Sequence, residues 1–265
     1  MSPRGDAEAP VAPGPVGLGL GLLSIGRTWG YHSEPPPPEA DARRLLEFAV
    51  EAGVRCFDTA PAYGTSEERF GAFLTTLGSR REELLVATKF GEHWNAEAHT
   101  SFTDHAYDAL RRSLDQSLHR LGRIDLLQVH KATAATVGAP DVVRALEYAR
   151  SLGITRLGAS ISDVAAAEAA CSVGLYSYLQ FPYNTLHRTL EPVFALASRK
   201  GLQVLINRPF AMGQLLHAPE KAREVALRES LDHVLGQAFS GFVLTGTKSV
   251  DHLRQTLAAF GARGG

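Results

Sequence analysis

Several features that would point to a class of protein are scarce in this chain. It has two cysteines, Cys56 and Cys171, in 265 residues. They stand far apart and without metal-ligand spacing, which argues against a disulfide framework and points to a reducing cytoplasm. No apolar run reaches the ~18 residues that a membrane span needs. Residues 1–15 are rich in Pro, Ala and Gly but lack a basic start followed by an apolar core. They do not read as a secretory leader and are expected to form a flexible tail. An excess of one charge is missing too: 27 Lys and Arg stand against 28 Asp and Glu, a net charge of −1. No bulk field then favours nucleic acid or an anionic membrane, and neither is expected as a partner.

What is present is ordinary in amount and ordered in pattern. Hydrophobic residues make up 45% and charged residues 21%, as in globular proteins generally. Residues 16–25 are apolar and glycine-rich, a candidate first strand. Residues 39–52 carry Ala42, Leu45, Leu46, Ala49 and Val50 at helical spacing, and Gly53 stops that helix. A short apolar run at 54–59 follows, then a capping box at Thr65 to Glu68 before Phe70 and Phe73. Strand 84–90 leads to helix 103–121, and strand 124–130 to helix 140–152. Strand 155–161 leads to helix 163–174, and strand 178–183 to helix 187–200. Strand 202–208, helix 219–238, strand 242–247 and helix 250–260 complete the series. The prolines at 35–38 form a stiff loop segment.

Eight strand-then-helix units of ~30 residues imply a parallel sheet with helices outside it. That number favours an α/β fold of the (β/α)₈ TIM barrel type, one domain over 16–265, and the length is near the ~250 residues usual for such barrels. The alternative is an open doubly wound sheet. The first strand reads G-L-G-L-G-L-L, but the acidic residue and phosphate turn of a dinucleotide fingerprint do not follow it.

Barrel sites sit at the C-terminal ends of the strands. Those ends read Asp58, Lys89, His130, Ser160, Gln180 and Asn207-Arg208, with Tyr63 just past the second strand. Each residue alone has a plain reading: a turn cap for Asp58, a solvated strand end for Lys89, a turn aromatic for Tyr63. Together they have a chemical logic. Reducing a carbonyl takes a hydride on carbon and a proton on oxygen. A phenol is a poor acid, with an ordinary pKa of about 10. A neighbouring ammonium favours its phenolate, and a carboxylate fixes that ammonium. A neutral histidine orients the carbonyl oxygen.

The segment D-T-A-P-A-Y-G-T-S-E from Asp58 resembles the aldo-keto reductase motif. So do A-T-K-F-G around Lys89, D-L-L-Q-V-H ending at His130, L-G-A-S ending at Ser160, Q-F-P-Y-N from Gln180 and T-G-T-K-S from Thr245. They run in the family's order over roughly residues 17–259. The resemblance implies an NADPH-dependent reductase of a small-molecule carbonyl substrate, with Tyr63 as general acid, Lys89 and Asp58 tuning it, and His130 orienting the substrate. It implies that Ser160 and Gln180 hold the nicotinamide carboxamide. Arg208 would lie along the pyrophosphate, while Lys248, Ser249 and Arg254 would grip the 2′-phosphate. Ser249 opens a helix, where anions bind, although Asp251 stands among these cations.

The chain departs from the family pattern at three positions. Ile161 stands where the family has Asn, Asn207 stands near its stacking Tyr or Phe, and Thr256 replaces an adenine-binding Asn. Trp29, Phe90, Trp94 and Phe181 are candidates for the substrate pocket, and Glu92 to Asn95 offer it polar and aromatic contacts. Two other functions stay open: a nicotinamide-binding interaction barrel with little turnover, and a non-redox barrel lyase or isomerase. A monomer or small homo-oligomer is expected.

Overall fold

Eight parallel strands close into a barrel in the computed structural model, which describes residues 15–217 and 219–262, with the backbone alone for 220 and 221. The strands are β1 Val16–Gly21, β2 Cys56–Asp58, β3 Leu85–Phe90, β4 Leu126–Ala132, β5 Arg156–Ile161, β6 Tyr178–Pro182, β7 Gln203–Asn207 and β8 Gly241–Thr245. Each pairs with the next, and β8 pairs back onto β1, Val16 opposite Gly241. The helices outside are α1 Glu39–Glu51, α2 Ser66–Leu74, α3 Tyr107–Leu121, α4 Pro140–Ser151, α5 Val164–Val173, α6 Pro192–Arg199, α7 Glu220–Leu235 and α8 Val250–Gly261. The expected (β/α)₈ barrel is therefore what the chain forms. The tail expected over 1–15 lies, but for Pro15, outside the described residues.

Side chains alternate across each strand, and two apolar clusters follow from that. Leu18, Leu20, Phe57, Val86, Phe90, Leu127, Val129, Leu179 and Phe181 join helix residues such as Leu45, Leu46 and Leu110 in the outer layer. Cys56, Ala87, Leu126, Tyr178, Leu205 and Leu244 form a small inner cluster. In β1 the leucines face the helices and the glycines face inward. A Cβ on Gly19 would lie 2.7 Å from Leu244 Cδ2, so these glycines leave room for the inner cluster.

Four sequence expectations need correction. β1 ends at Gly21, and Leu23–Gly26 turns into one helical turn. The stretch before α3, expected to be a loop, contains an antiparallel hairpin of Glu92–Asn95 with Thr100–Thr103. Asn95 Oδ1 closes its tip by accepting from the amides of Glu97 and Ala98. The capping box is not formed. Thr65 is the N-cap of α2, but its hydroxyl donates to Gly26 O at 3.2 Å. Glu68 turns outward to Arg120, while Glu67 is buried and accepts from Thr88 Oγ1 at 2.6 Å and Arg120 Nη1 at 3.1 Å. Tertiary partners have displaced the local cap. Finally, His187 lies in a turn before α6 rather than at a helix start.

The helical turn after β1 sets the position of the segment carrying Tyr63. Thr65 N donates to Gly26 O at 3.1 Å, and a Cβ on Gly26 would fall 2.0 Å from Tyr63 O and 2.5 Å from Ser66 N. Both obstacles are backbone and cannot rotate away. Gly26→Ala is therefore expected to lose about 1–3 kcal/mol, as overpacked interiors do. Urea denaturation should report a lower midpoint; an unchanged midpoint would refute the close approach.

Candidate active site

The inward positions at the C-terminal ends of the strands carry the polar residues. Asp58 on β2, Lys89 on β3, Gln128 and His130 on β4, and Gln180 on β6 are all buried. Lys89 is fully buried, and its Nζ donates to Asp58 Oδ2 at 2.5 Å and to Thr59 O at 3.0 Å. Asp58 Oδ1 accepts from Gln128 Nε2 at 2.9 Å and Gln180 Nε2 at 3.0 Å. The carboxylate thus has partners on both oxygens, the condition under which a buried charge is tolerated. Gln128 was not singled out from the sequence, although its inward parity, shared with Leu126 and His130, was a readable signal.

Tyr63 stands over this pair. Lys89 Nζ lies 4.8 Å from the centre of its ring, and His130 packs edge-on against it with centroids 5.8 Å apart. Lys89 pulls the Tyr63 pKa down, as expected of a neighbouring ammonium, but burial, the largest influence, raises it, Asp58 and Glu92 add to the rise, and the net shift is upward. The phenol therefore holds its proton throughout the neutral range. For Lys89, burial pulls downward, but Asp58 and Tyr63 outweigh it and the net shift is upward. The ammonium stays charged. His130 is pushed well below its ordinary value by burial first, then by Lys89, Lys131 and Arg27. It is a neutral imidazole.

Above these residues opens a cavity of about 740 Å³. Tyr63, Asp58, His130, Ser160, Gln180, Asn207, Arg208, Trp29, Lys248 and Ser249 all line it. The Arg208 guanidinium lies 5.6 Å from the Trp29 ring centre. Lys248 Nζ donates to the carbonyls of Glu34 and Pro35, both at 2.7 Å, tying the β8 end to the loop after β1. Ser249 caps α8, its hydroxyl accepting from His252 N at 3.3 Å. Ile161 and Thr256 also line the wall, Thr256 Oγ1 donating to His252 O.

Four of the residues expected in the substrate pocket or at the phosphate, Phe90, Phe181, Trp94 and Arg254, do not line the cavity. Phe90 follows inward-facing Lys89, so alternation turns it outward into the fully buried helix layer; Phe181 shares that fate. Trp94 sits on the hairpin, where its ring takes the Arg27 guanidinium at 4.7 Å. Arg254 points outward, paired with Asp251 at 2.5 Å and lying 5.0 Å from the Phe48 ring centre. At that end of the cavity the wall is instead made by Arg223 and His252. The charge of Arg223 helps hold His252 below its ordinary pKa, after burial. Arg223 went unnoticed because nothing local distinguishes it from any arginine near a helix start.

A barrel with one polar cavity at its C-terminal face, floored by an ion pair, a tyrosine and a neutral histidine, belongs to the barrel enzymes. The chain is a member of the aldo/keto reductase family, whose model matches residues 17–231. A D-threo-aldose 1-dehydrogenase from Pseudomonas is 36% identical over 176 residues, 55% of this chain and 50% of that protein. An aldo-keto reductase of Schizosaccharomyces pombe named for NADP(+) is 30% identical over 179 residues, 66% of this chain and 51% of that protein. The chain thus spans about half the length of these two relatives. The crystal structure of an aldo-keto reductase from Pseudomonas aeruginosa superposes with a TM-score of 0.77 at 28% identity, covering 98% of this chain and 94% of that one.

The neutral state of His130 has a measurable consequence. An unfolded imidazole has its ordinary pKa near 6.5. Below that value the unfolded chain takes up a proton that folded His130 refuses, so stability falls as pH drops through about 6.5. His130→Asn should make the unfolding free energy less steep between about pH 7 and pH 5, by at most ~1.4 kcal/mol per pH unit for one proton. Equal slopes in chemical denaturation of the two proteins would mean that His130 titrates normally.

Proposed function

We propose that the protein reduces an aldehyde or ketone to an alcohol with NADPH, Tyr63 giving the proton. The observation that carries this reading is the Lys89–Asp58 pair buried beneath a protonated Tyr63, with neutral His130 against the same ring. When bound, NADPH supplies the hydride that goes to the carbonyl carbon. As charge gathers on the carbonyl oxygen, that oxygen becomes a stronger base than a phenolate, and the Tyr63 proton transfers to it. Lys89 then faces the new phenolate at short range in a dry setting, where a fixed cation counts for most. His130, uncharged, is suited to hold the carbonyl oxygen by one N–H without competing as an acid.

The cavity suits a nicotinamide cofactor. Asn207 Oδ1 is buried at its wall with no hydrogen-bond partner among the described residues. That is an acceptor awaiting a donor such as the amide of a carboxamide, and it offsets the bond lost at Ile161. Ser160 and Gln180 line the same wall. At the far end, Lys248, Arg223 and the capped start of α8 offer cations and amides to a phosphate. Arg223 takes the part expected of Arg254. With NADP⁺ in excess the same residues would serve the reverse oxidation.

Tyr63→Phe is expected to cut carbonyl turnover by roughly 10²- to 10⁴-fold while NADPH still quenches protein fluorescence on titration. Full activity in that variant would remove Tyr63 as proton donor. Failure of wild type to bind NADPH or NADH would overturn the cofactor reading itself. Arg223→Ala should weaken NADPH by roughly tenfold or more, the worth of a charge-assisted bond, and leave NADH unchanged. Equal losses for both cofactors would show that Arg223 does not read the 2′-phosphate.

A further inference from the structure

Lys131 does not obey the alternation that sorts its neighbours. It follows inward-facing His130, so its side chain should turn to the helices, as Phe90 does after Lys89. It lines the cavity instead. The cause is a bulge in β4. Pairing with β5 runs to Val129 opposite Ala159 and resumes at Ala132 opposite Ile161, so His130 and Lys131 together stand against Ser160 alone. Lys131 takes a φ of 52°, the left-handed region that residues other than glycine enter at a cost. Bulges re-aim side chains beside active sites. This one brings an ammonium to the cavity wall next to His130.

A second cation stands nearby without an acid. Arg27 follows the helical turn after β1 and is half-buried. Its guanidinium lies 4.7 Å from the centre of the Trp94 ring and 5.8 Å from that of Trp29, which lines the cavity. Among the described residues no carboxylate or other acceptor meets that guanidinium. The two rings position the group but offer nothing to its five N–H donors.

The local charges do not cancel. Lys89 is matched by Asp58. Lys131 Nζ lies 3.9 Å from Oε1 of buried Glu92, whose Oε2 lies 3.1 Å from His130 Nε2. Lys131 and Arg27 both act on His130, and Glu92 is the one carboxylate set against them. An excess of one positive charge is left on this side of the cavity. We propose that the carbonyl substrate carries a carboxylate, recognised by Lys131 at the cavity wall and by Arg27 beside Trp29. A monoanion cancels the excess, whereas a phosphate dianion would overshoot it beside Glu92. The guanidinium fork also matches a carboxylate in shape. This inference rests on the carbonyl-reductase reading above and adds the substrate class to it.

The test compares 4-formylbenzoate with its uncharged methyl ester as substrates of the NADPH-loaded protein. Both aldehydes carry an electron-withdrawing group at the same ring position, so charge is the main difference between them. The kcat/KM for the acid should exceed that for the ester by roughly 10- to 100-fold, the worth of one or two charge-assisted bonds, chiefly through KM. The ratio should shrink in high salt, which screens accessible charges. Lys131→Gln and Arg27→Gln should each lower it by roughly tenfold. Damage to the fold would slow both aldehydes and leave the ratio where it was. If a variant fails to fold, the wild-type ratio and its salt dependence decide. Equal kcat/KM for the two aldehydes in the wild type would overturn the proposal and keep the reductase reading. So would a ratio that both substitutions leave intact. Calorimetric titration separates the two readings. The alcohol product, 4-(hydroxymethyl)benzoate, should bind the NADPH-loaded protein at least roughly tenfold more tightly than its methyl ester. That preference in a protein that reduces neither aldehyde would defeat the reductase reading and leave the carboxylate site standing. Equal binding of the two alcohols would remove the site.

Discussion

A fully buried ammonium organises this site. Lys89 has no access to water, and a lone charge there would cost several kcal/mol in effective desolvation. Asp58 meets it at 2.5 Å, and two glutamine amides meet the carboxylate's other oxygen. Four strands, β2, β3, β4 and β6, must therefore keep their register for the charge to be tolerated. The pair in turn sets the electrostatics above it, contributing to the Tyr63 phenol and to the neutrality of His130. Structure and site chemistry depend on the same few bonds.

Alternation along the strands then sorts the remaining residues. Inward parity collects Asp58, Lys89, Gln128, His130, Ser160, Gln180 and Asn207 into one wall. Outward parity sends Phe90 and Phe181 to the helices. An aromatic next to a site residue in sequence is thus directed away from it, because neighbours in a strand face opposite sides. The expectation that Phe90 and Phe181 lined the pocket overlooked this rule, although their position beside inward residues was legible.

Over the mouth, the loops after β1 and β7 approach each other. Tyr31 N donates to Met212 O at 3.0 Å, and His32 Nε2 lies 3.2 Å from His217 Nδ1. Lys248 binds the same first loop from β8. These contacts bridge the loops that line the cavity. Trp29 lies along its wall, its ring centre 5.8 Å from the guanidinium of Arg27 and 5.6 Å from that of Arg208.

Much was legible in the one-dimensional pattern. Hydrophobic periodicity counted eight strand and helix units, and the residues at strand ends named Tyr63, Asp58, Lys89 and His130 because burial of polar groups at those points demands a use. These are local regularities, repeated every few residues, and they survive without knowledge of the fold. What only the tertiary structure decided depends on distant partners. Thr65 abandoned its cap for Gly26, and Glu67 left the helix surface for Thr88 and Arg120. The site also drew on groups with no local mark: Arg223 at the cavity's far end, and Glu92 on a hairpin too short and polar to read as strands. At Tyr63 burial outweighs the downward pull of Lys89, since the balance between a nearby cation and lost hydration is set by the packing around both. A sequence records which groups are present; their distances and their access to water come only with the closed barrel.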